Sequence, residues 1–226
     1  MKLLCISDLH GNIEVLDKLE SEFKNSDAVL FAGDFAKFGD TKTGLPALEK
    51  LTEKHQNIFA VLGNCDKEDF LAQIEAADVS CQKSLVFHEG LLIAGCGGGT
   101  KFTGTTPYER TEEEIISDYK TVVESASESG ELGNLILIMH NPPKDTECDK
   151  VAPTVHVGSQ MLREFVEQYK PILVVTGHIH ESKGVDKIGE TTVLNPGALL
   201  EGSYSVVTLT KDGHQWKVDS VELKSI

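Results

Sequence analysis

The chain has 226 residues, 40% of them apolar and 6% aromatic, with a formal net charge of −15. That length and apolar content suffice for a sizeable buried core, while the charge repels nucleic acid and anionic membranes at long range. With only two arginines, Arg110 and Arg163, a strong basic patch is not on offer, so a small phosphorylated substrate is open only if metal ions supply the positive charge.

A first apolar run at residues 3–6 reads as a buried strand. Residues 12–23 show helical spacing through Ile13, Leu16 and Leu19. A strand over 28–32, a helix over 45–51, a strand over 58–62 and a helix over 67–76 follow. This alternation marks a mostly parallel sheet. The pattern then changes. Runs at 85–87 and 91–94 flank His88-Glu89-Gly90 as a hairpin, and Gly95-Cys96-Gly97-Gly98-Gly99 reads as a tight loop at a sheet edge and cleft rim. Backbone N–H groups of such a loop can meet a phosphate. Thr111 with Glu114 forms a capping box that opens a helix to about residue 127. A strand at 135–139 leads to His140, and 141–158 is a long loop with three prolines, of a length that usually serves function. Ser159 caps a helix to about 169, and a strand at 172–175 leads to Gly177-His178-Ile179-His180. Short antiparallel strands at 192–194, 205–209 and 216–221 end the chain, with turns at Asn195-Pro196-Gly197 and Asp212-Gly213. No repeat or linker interrupts the pattern, so one domain over residues 1–226 with two sheets and outer helices is the expectation.

The five cysteines, at 5, 65, 81, 96 and 148, have no paired spacing. That speaks against a disulfide framework and for reduced thiols. The opening apolar run is cut by Asp8 and is too short for a signal peptide, and no stretch is long enough to span a membrane. A cytoplasmic protein is expected.

Asp8, Asp34, Asn64, His140 and His178 each stand just past an apolar run, and His10 and His180 stand two residues beyond Asp8 and His178. In open α/β sheets, ligands bind outside the carboxyl ends of the strands, so parallel strands would gather these side chains in one cleft. Carboxylate and imidazole donors suit manganese, iron, zinc or nickel, and the absence of a Cys-pair motif argues against a structural zinc site. Any one of these short motifs is explained as well by a helix cap, a turn or a structural histidine. The ordered set on five strand ends is not.

Asp8-Leu9-His10, Gly33-Asp34, Gly63-Asn64-Cys65-Asp66, His140 and Gly177-His178-Ile179-His180 together resemble the calcineurin-like metallophosphoesterase superfamily. Thr192-Val193-Leu194-Asn195-Pro196-Gly197 is also similar to its small prokaryotic members. The resemblance implies a four-layer α/β/β/α sandwich of two mixed sheets flanked by helices. It implies that Asp8, His10, Asp34 and His180 hold one divalent metal, and that Asp34, Asn64, His140 and His178 hold the other, with Asp34 bridging. The implied activity is metal-dependent phosphoester hydrolysis by a hydroxide bridging two divalent ions. Manganese is the first expectation, with iron, nickel or zinc as alternatives. Asn64 and His140 would help to stabilise the charged transition state.

Many members carry His where this chain has Cys65, and that His is taken to protonate the leaving group or steady the phosphate. The branch with Gly-Asn-Cys-Asp, which includes phosphodiesterases, resembles this chain more closely. A thiol cannot copy an imidazolium. Cys65 is therefore either a small packing residue or a weak donor, and Asp66 is the nearest group that could assist in its place. A phosphodiester is the expected bond. A phosphomonoesterase, including a protein phosphatase, and a non-catalytic protein-binding scaffold on the same fold are the rival readings. The expected partner is a small phosphorylated substrate, with no nucleic acid and no membrane, and exposed edge strands of the C-terminal sheet would allow a homodimer. His156 reads as a histidine packed under the long loop, with contact to an anion as its alternative, and Lys144 and Arg163 read as surface charges. The run Glu112-Glu113-Glu114 matches a helix N-terminus. His55, His88 and His214 lie in turn or polar contexts and carry no assignment.

Overall fold

Strands β1 (Lys2–Ile6), β2 (Ala28–Phe31) and β3 (Ile58–Ala60) are almost continuously apolar because both faces of their sheet are covered. In the computed structural model, which describes residues 1–129 and 132–226, alternate residues of each strand serve different cores. Leu3 and Cys5 point to one side with Leu30 and Val61, and Leu4 and Ile6 point to the other with Val29 and Phe31.

The order along the chain is β1, α1 (Glu14–Asp17), α2 (Glu20–Asn25), β2, α3 (Gly44–Lys54), β3 and α4 (Leu71–Ala76). Next come β4 (Leu85–His88), β5 (Leu91–Cys96), β6 (Gly99–Thr100), β7 (Glu109–Arg110) and α5 (Glu112–Ser129). Then follow β8 (Leu135–Met139), β9 (Lys150–Ala152), β10 (Val155–His156), α6 (Gln160–Tyr169) and β11 (Leu173–Val175). The chain ends with β12 (Gly184–Ile188), β13 (Thr191–Asn195), β14 (Ser203–Asp212) and β15 (Gln215–Ser225).

One sheet has the order β15-β14-β1-β2-β3 and the other β12-β13-β11-β8-β5-β4. Both are mixed. β1, β2 and β3 run parallel, as do β5, β8, β11 and β13, while β14, β15, β4 and β12 are antiparallel additions. The sheets meet face to face over a core containing Leu3, Leu30, Val61, Ile93, Ile138 and Val175. The outer face of the first sheet packs on the N-terminal helices through Leu16, Phe23 and Leu51, and that of the second on α5 and α6 through Tyr119, Leu162 and Phe165. Three cores between four layers give the α/β/β/α sandwich. No helix among the described residues is long and apolar enough to cross a membrane.

Both predicted caps form. Thr111 and Glu114 exchange reciprocal bonds, with Thr111 N–H donating to Glu114 Oε2 at 2.8 Å, and Ser159 Oγ accepts from Leu162 N–H at 3.1 Å. Elsewhere the elements differ from expectation. The helix over 12–23 is broken at Leu19 into α1 and α2. Ile13, Leu16 and Leu19 are spaced by three, and the chain follows that spacing with tightened i→i+3 bonds, Leu16 N–H to Ile13 O and Leu19 N–H to Leu16 O. The glycine run at 95–99 is not a loop at the sheet edge: Gly95 and Cys96 lie in β5, inside the second sheet, and only the segment at Gly97-Gly98 turns. The loop over 141–158 contains the small hairpin β9–β10, and β12 is an additional edge strand.

Candidate metal centre

Asp8 follows β1, Asp34 follows β2, Asn64 follows β3, His140 follows β8 and His178 follows β11. The two sheets thus bring these residues, with His10 and His180, to one end of the sandwich. The chain must turn off each strand at close quarters. A Cβ on Gly63 would collide with Asp34 Oδ1 and N, and one on Gly177 would collide with Ser7 Oγ and lie 2.8 Å from Asp8 Oδ2. This is the physical reason for glycine before Asn64 and His178. Asp8, His10, Asp34 and His178 have φ of 56°, 48°, 63° and 69°, a left-handed conformation that costs a non-glycine residue roughly 1–3 kcal/mol. Four such residues in one cluster mark a backbone held for its side chains.

The side chains fall into two cells sharing Asp34. In the first, His10 Nδ1 donates to Ala36 O at 3.2 Å, so its Nε2 carries a bare lone pair. That atom lies 3.3 Å from His180 Nε2, 3.6 Å from Asp34 Oδ2 and 3.8 Å from Asp8 Oδ1. In the second, His140 Nδ1 donates to Ala32 O at 2.7 Å, which leaves Nε2 bare. It points at Asn64 Oδ1 from 2.7 Å, and His178 Nδ1 reaches the same oxygen at 2.8 Å. Asn64 Nδ2 is turned to Cys65 Sγ, 3.7 Å away. Asp34 Oδ2 stands 3.6 Å from both His10 Nε2 and His140 Nε2, while its Oδ1 accepts the Cys65 N–H at 2.8 Å. His140 Nε2 against Asn64 Oδ1, and His10 Nε2 against the Asp8 and Asp34 carboxylates, set acceptor against acceptor, and a cation between them would remove the repulsion. The donor set and its geometry therefore fit divalent metal.

Electrostatics agree with such crowding. Burial and the Asp8 charge push Asp34 up to about 7. Burial alone would also raise Asp8, but His180, His140 and His10 hold its carboxyl well below the usual range. Burial pushes His178 down to about 3 and lowers His140. His180 is raised by its bond to Asp8.

One sequence expectation changes here. Asp66 does not face the cleft as a proton donor. It is fully buried, and its carboxylate accepts from Gly63, Asp34 and Phe35 N–H through Oδ2 at 2.8, 3.0 and 3.3 Å, and from Ala36 N–H through Oδ1 at 2.8 Å. It clamps the turn that carries Asp34. Cys65 does border the cleft, and its Sγ lies within 4.8 Å of ligand atoms of His10 and Asp34. Burial, then the Asp34 charge, raise its thiol far above the ordinary value, so it is a protonated neighbour rather than a thiolate.

Sequence reasoning passed over Asn195 as a turn residue. It is buried, and its Nδ2 donates to Ile179 O at 2.9 Å, pinning the loop of His178 and His180. The turn signature Asn-Pro-Gly was the available signal. His156 pairs with Asp149 at 2.6 Å inside the β9–β10 region, and Arg163 is tied to Glu167 and to the Lys144 and Asp145 carbonyls. A cleft of about 550 Å3 opens over the cluster, with Lys37, Phe38, Thr106 and Leu200 on its walls.

The sequence signature of the calcineurin-like phosphoesterases matches residues 1–182. The chain is 34% identical over 203 residues to "Uncharacterized protein MJ1162" of Methanocaldococcus jannaschii, covering 87% of this chain and 88% of that one. It is 24% identical over 229 residues to "UPF0046 protein K07C11.7" of Caenorhabditis elegans, covering 90% and 71% respectively. Among solved structures, TT1561 of Thermus thermophilus superposes with a TM-score of 0.69 at 18% identity, covering 96% of this chain and 97% of that chain. This last likeness is one of fold.

Proposed function

Because the chain belongs to the calcineurin-like phosphoesterase family, a family of metal-dependent phosphoester hydrolases, we propose that it hydrolyses a small phosphodiester with two divalent cations held at the paired cells. The observation that carries this reading is the pair of bare imidazole nitrogens, His10 Nε2 and His140 Nε2, each 3.6 Å from the shared Asp34 Oδ2.

Asp8, His10, Asp34 and His180 would hold one cation, and Asp34, Asn64, His140 and His178 the other. Bound there, the pair supplies Lewis acidity and a water acidic enough to be ionised near neutral pH. The chain's own residues do the rest. The Ala36 and Ala32 carbonyls fix the tautomers of His10 and His140, so that each offers its Nε2 inward. Asp66 and the Cys65 N–H hold Asp34 so that Oδ2 lies between the two cells. Asn195 fixes the loop of the two remaining histidines.

A diester is favoured for two reasons. Lys37 is the one lysine or arginine lining the cleft among the described residues, which suits a monoanion better than a dianion. The protonated Cys65 thiol is a poor acid, which suits a leaving group that needs little protonation. Manganese is the first metal to test, because histidine, carboxylate and amide oxygen donors suit it without excluding iron, nickel or zinc.

The test is hydrolysis of a chromogenic phosphodiester beside the matching monoester, after chelator treatment and manganese return. Metal-restored turnover with diester preference is the expected result. A monoester preference would keep the metal centre and overturn the reading of Cys65. Absence of turnover with any divalent metal would turn the account toward a scaffold.

A further inference from the structure

Two apolar side chains stand at the metal cluster instead of in a core. Phe38 is 58% exposed and Leu200 is 43% exposed, and both line the cleft over His10, Asp34, Asn64, His178 and His180. A lone exposed apolar residue is ordinary. These two share one concavity, and each is fastened to a segment that carries a residue of the cluster.

Phe38 sits on a tight turn closed by Asp40 N–H donating to Lys37 O at 2.9 Å. Thr43 Oγ braces that turn, accepting Lys37 N–H at 2.8 Å and donating to Asp40 O at 2.8 Å. The turn continues directly from the Asp34–Ala36 stretch clamped by Asp66. Leu200 lies in the short turn after β13, where its N–H donates to the carbonyl of Asp8 itself at 3.0 Å, and the neighbouring Leu199 is fully buried. Thr106, also on the wall, has its hydroxyl proton committed to Glu109 Oε1 at 3.1 Å. Apart from the Lys37 ammonium, the wall is apolar surface and a committed hydroxyl, whereas the polar groups of the cluster lie on the floor. A cleft of about 550 Å3 is within the range that encloses a small organic ligand.

Resting on the phosphoester reading, we propose that Phe38 and Leu200 form a subsite for an aromatic substituent of the substrate. The phosphoryl group lies at the cluster, and the flat ring packs on the phenyl of Phe38 and the isobutyl of Leu200. Such a wall discriminates by area: a phenyl group gains contact that a methyl group cannot make. The ring can be bonded directly to the phosphoryl oxygen or be the base of a nucleoside.

Calorimetric titration of the manganese-loaded protein with phenylphosphonate and methylphosphonate gives the readout, the ratio of the two dissociation constants. The expected ratio is about tenfold or more in favour of phenyl, falling to about twofold or less in the Phe38→Ala, Leu200→Ala double variant. Phe87→Ala, which removes a ring 73% exposed on β4, keeps the full ratio and controls for a general loss of apolar surface. Methylphosphonate binding with no phenyl preference, or a preference that survives the double variant, overturns the subsite and leaves the phosphoester reading standing. If neither phosphonate binds and no phosphodiester is turned over, the phosphoester reading falls, and the subsite with it. Methyl p-nitrophenyl phosphate and the methyl ester of thymidine 5′-phosphate, each with a single aromatic group, separate the two sources, since the ester whose aromatic group occupies the wall loses more kcat/KM in the double variant.

Discussion

Replacing Asp66 by Asn separates a positioning carboxylate from a proton donor. Its two oxygens accept four backbone N–H groups, three on Oδ2 and one on Oδ1. An amide keeps one oxygen. In its least damaging orientation that oxygen retains Gly63, Asp34 and Phe35, while its NH2 group faces the Ala36 N–H. One buried donor is then orphaned. The cost is about 2 kcal/mol, which for a chain of this size lowers the unfolding midpoint by roughly 4–8 °C. Because the displaced turn carries Asp34, metal affinity falls too. Thermal unfolding of the metal-free protein reads the first effect. Turnover of two diesters with leaving groups of different acidity reads the second. Loss by a common factor for both esters is expected. A variant as stable as the parent, with rates lost only for the poorly acidic leaving group, would show that Asp66 donates the proton and would refute the clamp.

Other consequences follow from the same geometry. Gly63→Ala drives a methyl group into Asp34, so it should abolish metal retention or prevent folding, and a soluble variant with full metal content would contradict the close approach. In the metal-free protein His178 and His140 are held below the ordinary imidazole value of 6.5. Their rings are neutral in the fold but take up protons when the chain unfolds, so this part of the stability is present above about 6.5 and is lost as pH falls from there toward 3. His180 is raised, and its smaller opposite contribution is lost as pH rises above 6.5 through its folded value. Asp34 and Asp66, both raised to about 7, take up protons in the fold over the same range and offset this loss. The readout is therefore the difference in unfolding midpoint between parent and His178→Gln: the variant should gain stability relative to the parent as pH falls from 6.5 to 5, and parallel profiles would count against burial of the neutral His178 ring. All five cysteines are buried, so a disulfide-exchange reagent should label no thiol rapidly in the native protein and all five after denaturation. Rapid labelling of Cys65 would contradict its buried, protonated state.

The strand ends were the readable part of the site. Asp8, Asp34, Asn64, His140 and His178 each interrupt an apolar run, and a polar residue at the end of a parallel strand has only the sheet edge to go to. The preceding glycines strengthen the signal, because the turns they allow are tight enough to press one loop against another. Two sheets with outer helices were equally legible in the near-continuous apolar strands and the helix caps at Thr111 and Ser159, while the four-layer order came from the family resemblance. What sequence spacing does not contain is side-chain direction after a turn. Asp66 lies two residues from Asn64, yet it aims at the backbone of residues 34–36 instead of at the cleft. Phe38 and Leu200 are single apolar residues in short turns, with no period to reveal them, and only the folded chain shows that they share a cleft. The break at Leu19 follows from a spacing of three that a 3.6-residue pattern conceals.

The central claim is that two cations share Asp34. It is tested most directly by counting manganese per chain in chelator-stripped, reconstituted protein, in the parent and in two variants. The account predicts two ions in the parent, one in Asn64→Ala, and none retained in Asp34→Ala. A parent that holds at most one ion, or an Asp34→Ala variant that keeps both, would contradict it.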